Sequence, residues 1–505
     1  MQKTARLYLS ILVPAMTLSW IFFKYYYPFA DFFSDSYTYI QAAADHDSIS
    51  YRPIGYSLFL RLLHALSASD TFLVTVQYAL VQSACLLLFF YLRRYGGLTG
   101  WAQWLVAVFL VLDPLVYYIS NYVSSDALFL ALSLCWLTLL LELVRRPTWR
   151  ALILQWIVLA LIFYTRYVAL FYPLAAALTF LMIRRSILFK VAAISGSIAV
   201  VAAGVFYTRQ VTISQTGVPI FSAFSGWQMA NNALHIYPWL PPDTTGMPSS
   251  TDNELVRDVS QYFEQPAISR AAPAATTAYM WEESSPLHRY FNDYRRRHSH
   301  DSGHLSYFIA WNRIAPVFTQ FGYGLLRRHP IAFGRYYLWP SAKSFFLPPL
   351  DVFAVYNEGK TTVDAVAQQW FGYHNARVKL QSATVQATIL APFPWAYLML
   401  NLGFLLVCGI YFCSPLRALP ASDPGNPPAP GNAPNLPGRH PTFTAFLKVA
   451  AAYLFANACF NIFASPSVFR YQVLPLILLF IFTIIGLFYV TYSAHLANDK
   501  LRCNE

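Results

Sequence analysis

Apolar residues run along this chain in blocks of about twenty, the length needed to cross the hydrocarbon core of a bilayer. The blocks fall at 8–27, 71–92, 101–119, 126–144, 150–165, 167–183, 188–208, 388–412, 443–463 and 471–494. Within them the apolar positions lack a one-sided helical stripe, which fits helices surrounded by lipid or by other helices. The two blocks on either side of Arg166 are short and read as a broken or tilted pair. The pattern therefore predicts an all-α polytopic membrane protein: a bundle of about 10–13 transmembrane helices with interfacial helices and a large extracytoplasmic loop region. Three regions follow: an N-terminal membrane module at 1–208, an extracytoplasmic and interfacial segment at 209–387, and C-terminal membrane helices at 388–505. The first block lacks an A-x-A-like cleavage site before its polar flank, so it reads as a retained span rather than a signal peptide.

Composition agrees. Of 505 residues, 57% are hydrophobic and 11% are charged, against the roughly 25% charged of ordinary soluble domains. Mean hydropathy is +0.41. The net charge of +12 does not point to nucleic acid, because the basic residues sit in short loops and no nucleic-acid signature accompanies them. The six cysteines show no paired metal spacing and lie mostly in apolar runs, so they read as buried thiols.

Lysines and arginines fix the expected orientation. Lys3 and Arg6, Arg93 and Arg94, Arg145, Arg146 and Arg150, then Arg184, Arg185 and Lys190 fall in alternate loops. Those loops are expected on the cytoplasmic side. Loop 28–70, loop 119–126, the turn at Arg166 and segment 209–387 are then outside. The proline-rich stretch 421–441 is inside and reads as a flexible, extended linker. In segment 304–350, aromatic residues mixed with arginine suit helices lying on the membrane surface, and a hidden pair of spans there stays open.

The outer loops carry the chemistry. Loop 28–70 contains DFFSDSYTYIQAAADHDSISYRPIGYSLFLRLL, an expected interfacial helix, a turn and a second interfacial helix. Asp31, Asp35 and Tyr39 would share one helical face at four-residue spacing. Asp126 opens a span, where a carboxylate also favours a helix N-terminus. Asp113, in LVLDPLVYY, reads more simply as a helix break. Arg52, Arg166 and Arg470 all lie on the expected outer side; Arg166 and Arg470, at span ends, each have a bland reading as a snorkelling side chain, and the three together suit an anionic headgroup. Outer carboxylates supply a general base and outer arginines a phosphate clamp. No P-loop or Rossmann glycine pattern is present, and activated nucleotides do not normally occur outside the inner membrane. A group-transfer enzyme there needs a donor that is both activated and membrane-resident. A polyprenyl-phosphate sugar meets both conditions.

Four segments, SDSYTYIQAA, YRPIGYSLFL, NYVSSDALFLAL and FRYQVLPLI, come in the order and on the side seen in a known family. They resemble the D-x-x-Y first-loop helix, the [KR]-P-P-x-Y stretch, the second-loop acid and the R-Y-x-x-P-x-x-P segment of the membrane-embedded GT-C glycosyltransferases. The nearest group within that class holds the bacterial aminoarabinose transferases and protein O-mannosyltransferases. The resemblance implies an inverting glycosyltransferase of a bacterial plasma membrane, with a polyprenyl-phosphate-linked sugar donor and an extracytoplasmic acceptor. It implies Asp35 as general base and Asp126 as a second catalytic carboxylate, positioning the acceptor or sharing the base role. It implies Arg52, Arg470 and Tyr471 at the donor phosphate, to which Arg166 is added on its placement alone. The chain departs from the family in having Asp35-Ser36 where many members carry tandem acids, and Asp31 stands one turn earlier as a substitute.

Further candidates are weaker. In FSAFSGWQMANNALHIYPW, Trp227 and Asn231 suit sugar stacking and hydroxyl recognition, though interfacial anchoring explains the tryptophans equally well. His298, His300 and His304 could hold Zn²⁺ or Mn²⁺, but a hydrated basic loop is the favoured reading. No cofactor is required by the sequence, and divalent metal dependence stays open. The D-x-D at 45–47 reads as a solvated loop. The competing functions are a surface-polysaccharide polymerase or ligase, and a lipid-sugar flippase without chemistry.

Overall fold

The computed structural model describes residues 2–240, 253–265, 277–298, 306–382, 384–413 and 441–502. Among them, eight helices are long and apolar enough to cross a membrane. The two shorter apolar helices, Trp149–Thr165 and Tyr167–Met182, flank Arg166 and complete the ten segments expected from the sequence. The protein is an all-α polytopic membrane protein. Among the described residues, β-structure is limited to two isolated bridges, Asp31 with Tyr122 and Thr362 with Arg377.

The N-terminal module runs α1 (Gln2–Tyr26), α2 (Ser34–Ala44), α3 (Gly55–His64), α4 (Asp70–Tyr95), α5 (Gly100–Leu112), α6 (Pro114–Asn121), α7 (Ser125–Arg145), α8 (Trp149–Thr165), α9 (Tyr172–Met182) and α10 (Ile187–Thr216). Local signals explain the breaks. Asp113 ends α5 and its Oδ1 accepts from the Leu115 N–H at 3.0 Å, while Pro114 opens α6 with a fixed φ and no N–H to satisfy. Ser124 caps α7. Helix α10 extends eight residues past the apolar block predicted to end at 208, and stops at Gly217 in the left-handed conformation (φ 77°).

Segment 209–387 builds a second apolar core outside the bundle. Helix α11 (Ala223–Leu234) packs along α12 (Tyr307–Arg328). A side chain at Gly226 would come within 2.2 Å of the Ala315 carbonyl oxygen, so only glycine lets the two backbones approach. Trp227, Trp311, Ile314, Phe318 and Phe321 are buried there. Helix α12 was expected on the membrane surface or as one of a hidden pair of spans. It is instead a core helix of the outer unit, and it is not among the helices apolar enough to span. The surface character belongs to the helical run that follows it, where Ile331 (86% exposed) and Trp339 (61%) project outward. Residues 351–382 return to the membrane bundle, where Phe353, Tyr356 and Phe371 join its core. The C-terminal helices are α13 (Phe393–Cys413), α14 (Pro441–Ala464) and α15 (Val473–Arg502). The linker expected at 421–441 lies, up to residue 440, outside the described residues.

Candidate functional site

The C-terminal ends of α1, α6, α8 and α14 and the starts of α7 and of the last span meet at one end of the bundle, the end expected from the sequence to face outward. Short segments between the helices carry Arg52, Arg166 and Arg470, and the first turns of α2 and α7 carry Asp35 and Asp126. The chain from Ala30 to Phe33 runs beside 121–123, with the Asp31 N–H donating to the Asn121 carbonyl at 2.8 Å and the Val123 N–H to the Asp31 carbonyl at 2.9 Å. This pairing sets the base of α2 beside the start of α7. It thereby brings Asp35 and Asp126, far apart in sequence, to the same rim.

Five charged side chains converge. Arg52 forms an ion pair with Asp35, and Arg166 forms one with Asp126. Arg470 lies between the two pairs, with Nη2 3.4 Å from Asp35 Oδ2 and Nη1 3.7 Å from Asp126 Oδ2. The first, second and last outer segments are therefore tied by one continuous network. All five side chains are largely removed from solvent, from 6% exposed at Asp126 to 20% at Arg52. Rings hold the guanidiniums in place. Arg166 sits over Tyr471 at 4.4 Å, Arg470 over Phe33 at 4.5 Å, and Arg52 over Phe224 at 5.5 Å. The Tyr471 hydroxyl accepts from Arg470 Nη2 at 3.1 Å. The helix-capping alternative for Asp126 is met by Ser124, whose hydroxyl also donates to Asp126 Oδ2 at 2.7 Å, leaving the carboxylate to the arginines.

Two features suit this cluster to an anion. Three guanidiniums face two carboxylates, so the cluster carries a positive surplus. The Nε–H groups of Arg52 and Arg470 are buried without an acceptor, and a buried donor left unpaired costs roughly 1–3 kcal/mol. Arg470, Arg166 and Asp126 line the adjoining cleft and Arg52 and Asp35 do not, so an anionic oxygen in the cleft would meet the Arg470 and Arg166 guanidiniums. The cleft, counted together with its opening to solvent, spans about 470 Å³ and has an apolar wall of Phe129, Leu130, Val168, Val473 and Leu474. Down one side runs a polar stripe from α14: Tyr453, Asn457 and Asn461, four residues apart. Asn461 Nδ2 donates to Asn457 Oδ1 at 3.0 Å, and Asn457 Nδ2 donates to Gln472 Oε1 at 3.3 Å. Sequence reasoning missed this stripe, although FANACFNIF places two amides at i and i+4 in a span, where polar groups are costly unless used.

Other candidates fall elsewhere. Asp31 precedes α2 instead of sharing its face with Asp35, because the helix starts only at Ser34. It is 1% exposed, and its Oδ1 accepts from the Asn357 N–H at 2.8 Å. Burial raises its pKa to about 8, against the lowering pull of that hydrogen bond. It is a structural pin. It is no substitute for a tandem acid. At the position beside Asp35, Ser36 is fully buried and its Oγ accepts from the Phe33 N–H at 3.1 Å; a carboxylate in its place would be desolvated. Tyr39 is buried and hydrogen-bonds Ser125 at 3.0 Å, fastening α2 to α7 without reaching the cleft.

Trp227 offers no face to a sugar: it is fully buried, stacked on Trp311 at 3.7 Å and met edge-on by Phe318 at 4.7 Å. Asn231 is buried in the same core, donating to Asn232 Oδ1 at 3.3 Å. His298 pairs with the Tyr294 carbonyl at 2.9 Å and stacks on its ring, while His300 and His304 lie outside the described residues. Among the described residues, no group of three His, Cys, Asp or Glu could hold a metal ion. No family profile, curated protein or solved structure matches the chain.

Proposed function

We propose that this chain is an inverting glycosyltransferase of the bacterial plasma membrane. It moves a sugar from a polyprenyl-phosphate donor to an acceptor on the extracytoplasmic face. The observation that carries this reading is the Arg470 bridge, which joins two carboxylates and three guanidiniums beside an apolar cleft that Asp126, Arg166 and Arg470 themselves line. A lipid phosphate ester suits both halves of that arrangement: its phosphate among the arginines, its prenyl chain along the apolar wall.

Asp35 (14% exposed) is the more accessible carboxylate and takes the role of general base. Asp126, held by Arg166, Arg470 and Ser124, orients the arginines. Asp35 accepts the proton of an acceptor hydroxyl or amine. The freed electron pair attacks the anomeric carbon from the side opposite the phosphate. The bond from that carbon to the phosphate oxygen breaks, and its electrons leave with the phosphate, where Arg470 and Arg166 meet the added charge. One displacement inverts the anomeric centre. General-base assistance is worth about 10²–10⁴ in rate, and prepositioned guanidiniums add an electrostatic contribution.

The polymerase reading calls for arginines without a carboxylate base, and the flippase reading for no chemistry at all. Asp35 set between two arginines favours the transferase. Polyprenyl phosphate binding to the solubilised full chain tests the donor site. Arg470→Gln is expected to weaken it about 10- to 100-fold, the range for losing charge-assisted hydrogen bonds. Unchanged binding would refute it.

A further inference from the structure

We propose that one face of the helical run 330–346 is a docking surface for the headgroups of anionic phospholipids. It involves no residue of the charged cluster, and it holds or fails independently of the transferase reading.

The run opens at Pro330, just after a break at His329, and stays helical to Phe346. Its two faces repeat every four residues. Phe333, Tyr337, Ser341 and Phe345 are buried. Ile331, Arg335, Trp339 and Lys343 are exposed. A regular α-helix has 3.6 residues per turn and drifts away from a four-residue repeat. Here the helix widens to a π-type turn over Gly334–Leu338, which takes up the drift and keeps one face outward. That face alternates apolar and basic side chains. Ile331 is 86% exposed and Trp339 61%, an apolar surface of the kind that marks a contact site. Lys343 Nζ lies 5.3 Å from the centre of the Trp339 ring. Trp239, also exposed, stacks on Tyr336 at 4.6 Å.

The buried face fixes the level at which the run lies. The Phe333 ring meets that of Phe463, at the C-terminal end of α14, at 6.0 Å. The Phe345 ring meets that of Tyr397, near the start of α13, at 6.2 Å. The run therefore crosses the ends of two membrane spans, beside the exposed apolar side chains of Trp395, Met399 and Phe463. Span ends lie where hydrocarbon gives way to headgroups, a zone that suits tryptophan and amphipathic helices.

Charge selects the lipid. Residues 302–350 contain no Asp or Glu. Arg327 and Arg328, just ahead of the run, and Arg335 and Lys343 within it are all exposed. Among the described residues, none of these four forms an ion pair. They lie on the side expected to be extracytoplasmic, against the usual bias of basic residues towards the cytoplasm. An anionic phospholipid supplies the missing counter-charge through its phosphate, which suits the guanidinium fork, while Ile331 and Trp339 enter the acyl boundary beside it. A zwitterionic headgroup carries its own cation and offers no net charge.

The test uses the full chain in lipid nanodiscs, on a background lacking the native cysteines, with Ile331→Cys carrying an environment-sensitive fluorophore. Nitroxide-bearing phosphatidylglycerol or nitroxide-bearing phosphatidylcholine is included at equal mole fraction. Both lipids are expected to quench the label, phosphatidylglycerol at least about 3-fold more strongly at low salt. That preference is expected to vanish in about 0.5 M salt, and in the Arg335→Gln, Lys343→Gln double variant. Inorganic phosphate at matched ionic strength is expected to leave the quenching unchanged. No quenching by either lipid would show that the face does not lie on the bilayer. Equal quenching by the two lipids, or a preference that survives in the double variant, would remove these cations as its cause. Displacement by inorganic phosphate would make the face a site for soluble anions. Each of those results overturns the proposal. The salt series on the unsubstituted basic residues gives a check that does not depend on the double variant folding, and a preference that persists in high salt overturns it too.

Discussion

At the scale of single residues, the chemistry turns on charges whose counter-charges come from distant parts of the chain. Arg470 reaches both carboxylates, and a lysine there keeps the charge but loses the planar fork that spans them. Arg470→Lys is therefore expected to lower polyprenyl phosphate affinity about 10-fold or more while the protein stays folded, as read by titration beside a thermal melt. Arg470→Ala also leaves two carboxylates short of a partner, and removing one member of a buried ion pair costs about 3–5 kcal/mol; its melting temperature is expected to drop as well. Asp31 makes a separate prediction. The unfolded chain releases this proton near pH 3.8 and the folded chain near 8. The folded form thus holds a proton between those values that the unfolded form does not, and its advantage is complete below 3.8 and is lost as pH rises through 8. Asp31→Asn is expected to flatten the decline of thermal stability between pH 5 and 8. An unchanged decline would show that another group is responsible.

The charged members of this site were legible as types and positions, because acids and arginines beside apolar blocks stand out and all fall on one predicted side. Their pairing was not legible. That Arg166 faces Asp126 and Arg52 faces Asp35 depends on how helix ends meet, which no local pattern encodes. Asp31 was misread because its spacing from Asp35 fits a helix that starts only after it. Trp227 was misread because a tryptophan beside amides looks alike whether its face is open or covered.

At the scale of elements, the α2–α3 hairpin of loop 28–70 is the part that has to be stiff, since it delivers both Asp35 and Arg52. Its second helix is seated against the end of α8, where a Cβ at Gly55 would come within 2.5 Å of the Tyr164 carbonyl oxygen. That obstacle is backbone and cannot swing aside. Gly55→Ala is expected to shift α3 away from Arg166, to cost about 1–3 kcal/mol of stability as overpacking does, and to reduce transfer more than expression. Wild-type melting and turnover together would show that the seat is not as tight as described. The apolar blocks were legible because length and hydropathy decide a span almost alone. Helix α12 was misread because its aromatic and arginine content suits a membrane surface and a small separate core equally well. The choice was made by its partner α11, just over three turns of helix that the sequence presents only as a patch of aromatics and amides.

At the scale of the whole molecule, the protein is a membrane bundle carrying a second, separately cored unit, with Arg52 of the charged cluster lying over Phe224 at the edge of that second core. Alternating basic loops predict that Arg94 and Glu283 lie on opposite sides of the bilayer. On a background lacking the native cysteines, a membrane-impermeant maleimide added to intact cells is expected to label Glu283→Cys and spare Arg94→Cys, both positions being exposed. The reverse pattern would put the site on the cytoplasmic side and remove the case for a lipid-linked donor. The central claim is that the Asp35–Arg470–Asp126 network is the place where a lipid-borne sugar ester reacts. Its most direct measurement is the consumption of radiolabelled polyprenyl-phosphate sugars by the purified chain in vesicles, with acceptor glycosides present, for wild type and Asp35→Asn side by side. The account predicts turnover of at least one such donor and a loss of at least about 100-fold in the variant; equal rates in the two proteins, or no consumption of any polyprenyl-phosphate sugar, would contradict it.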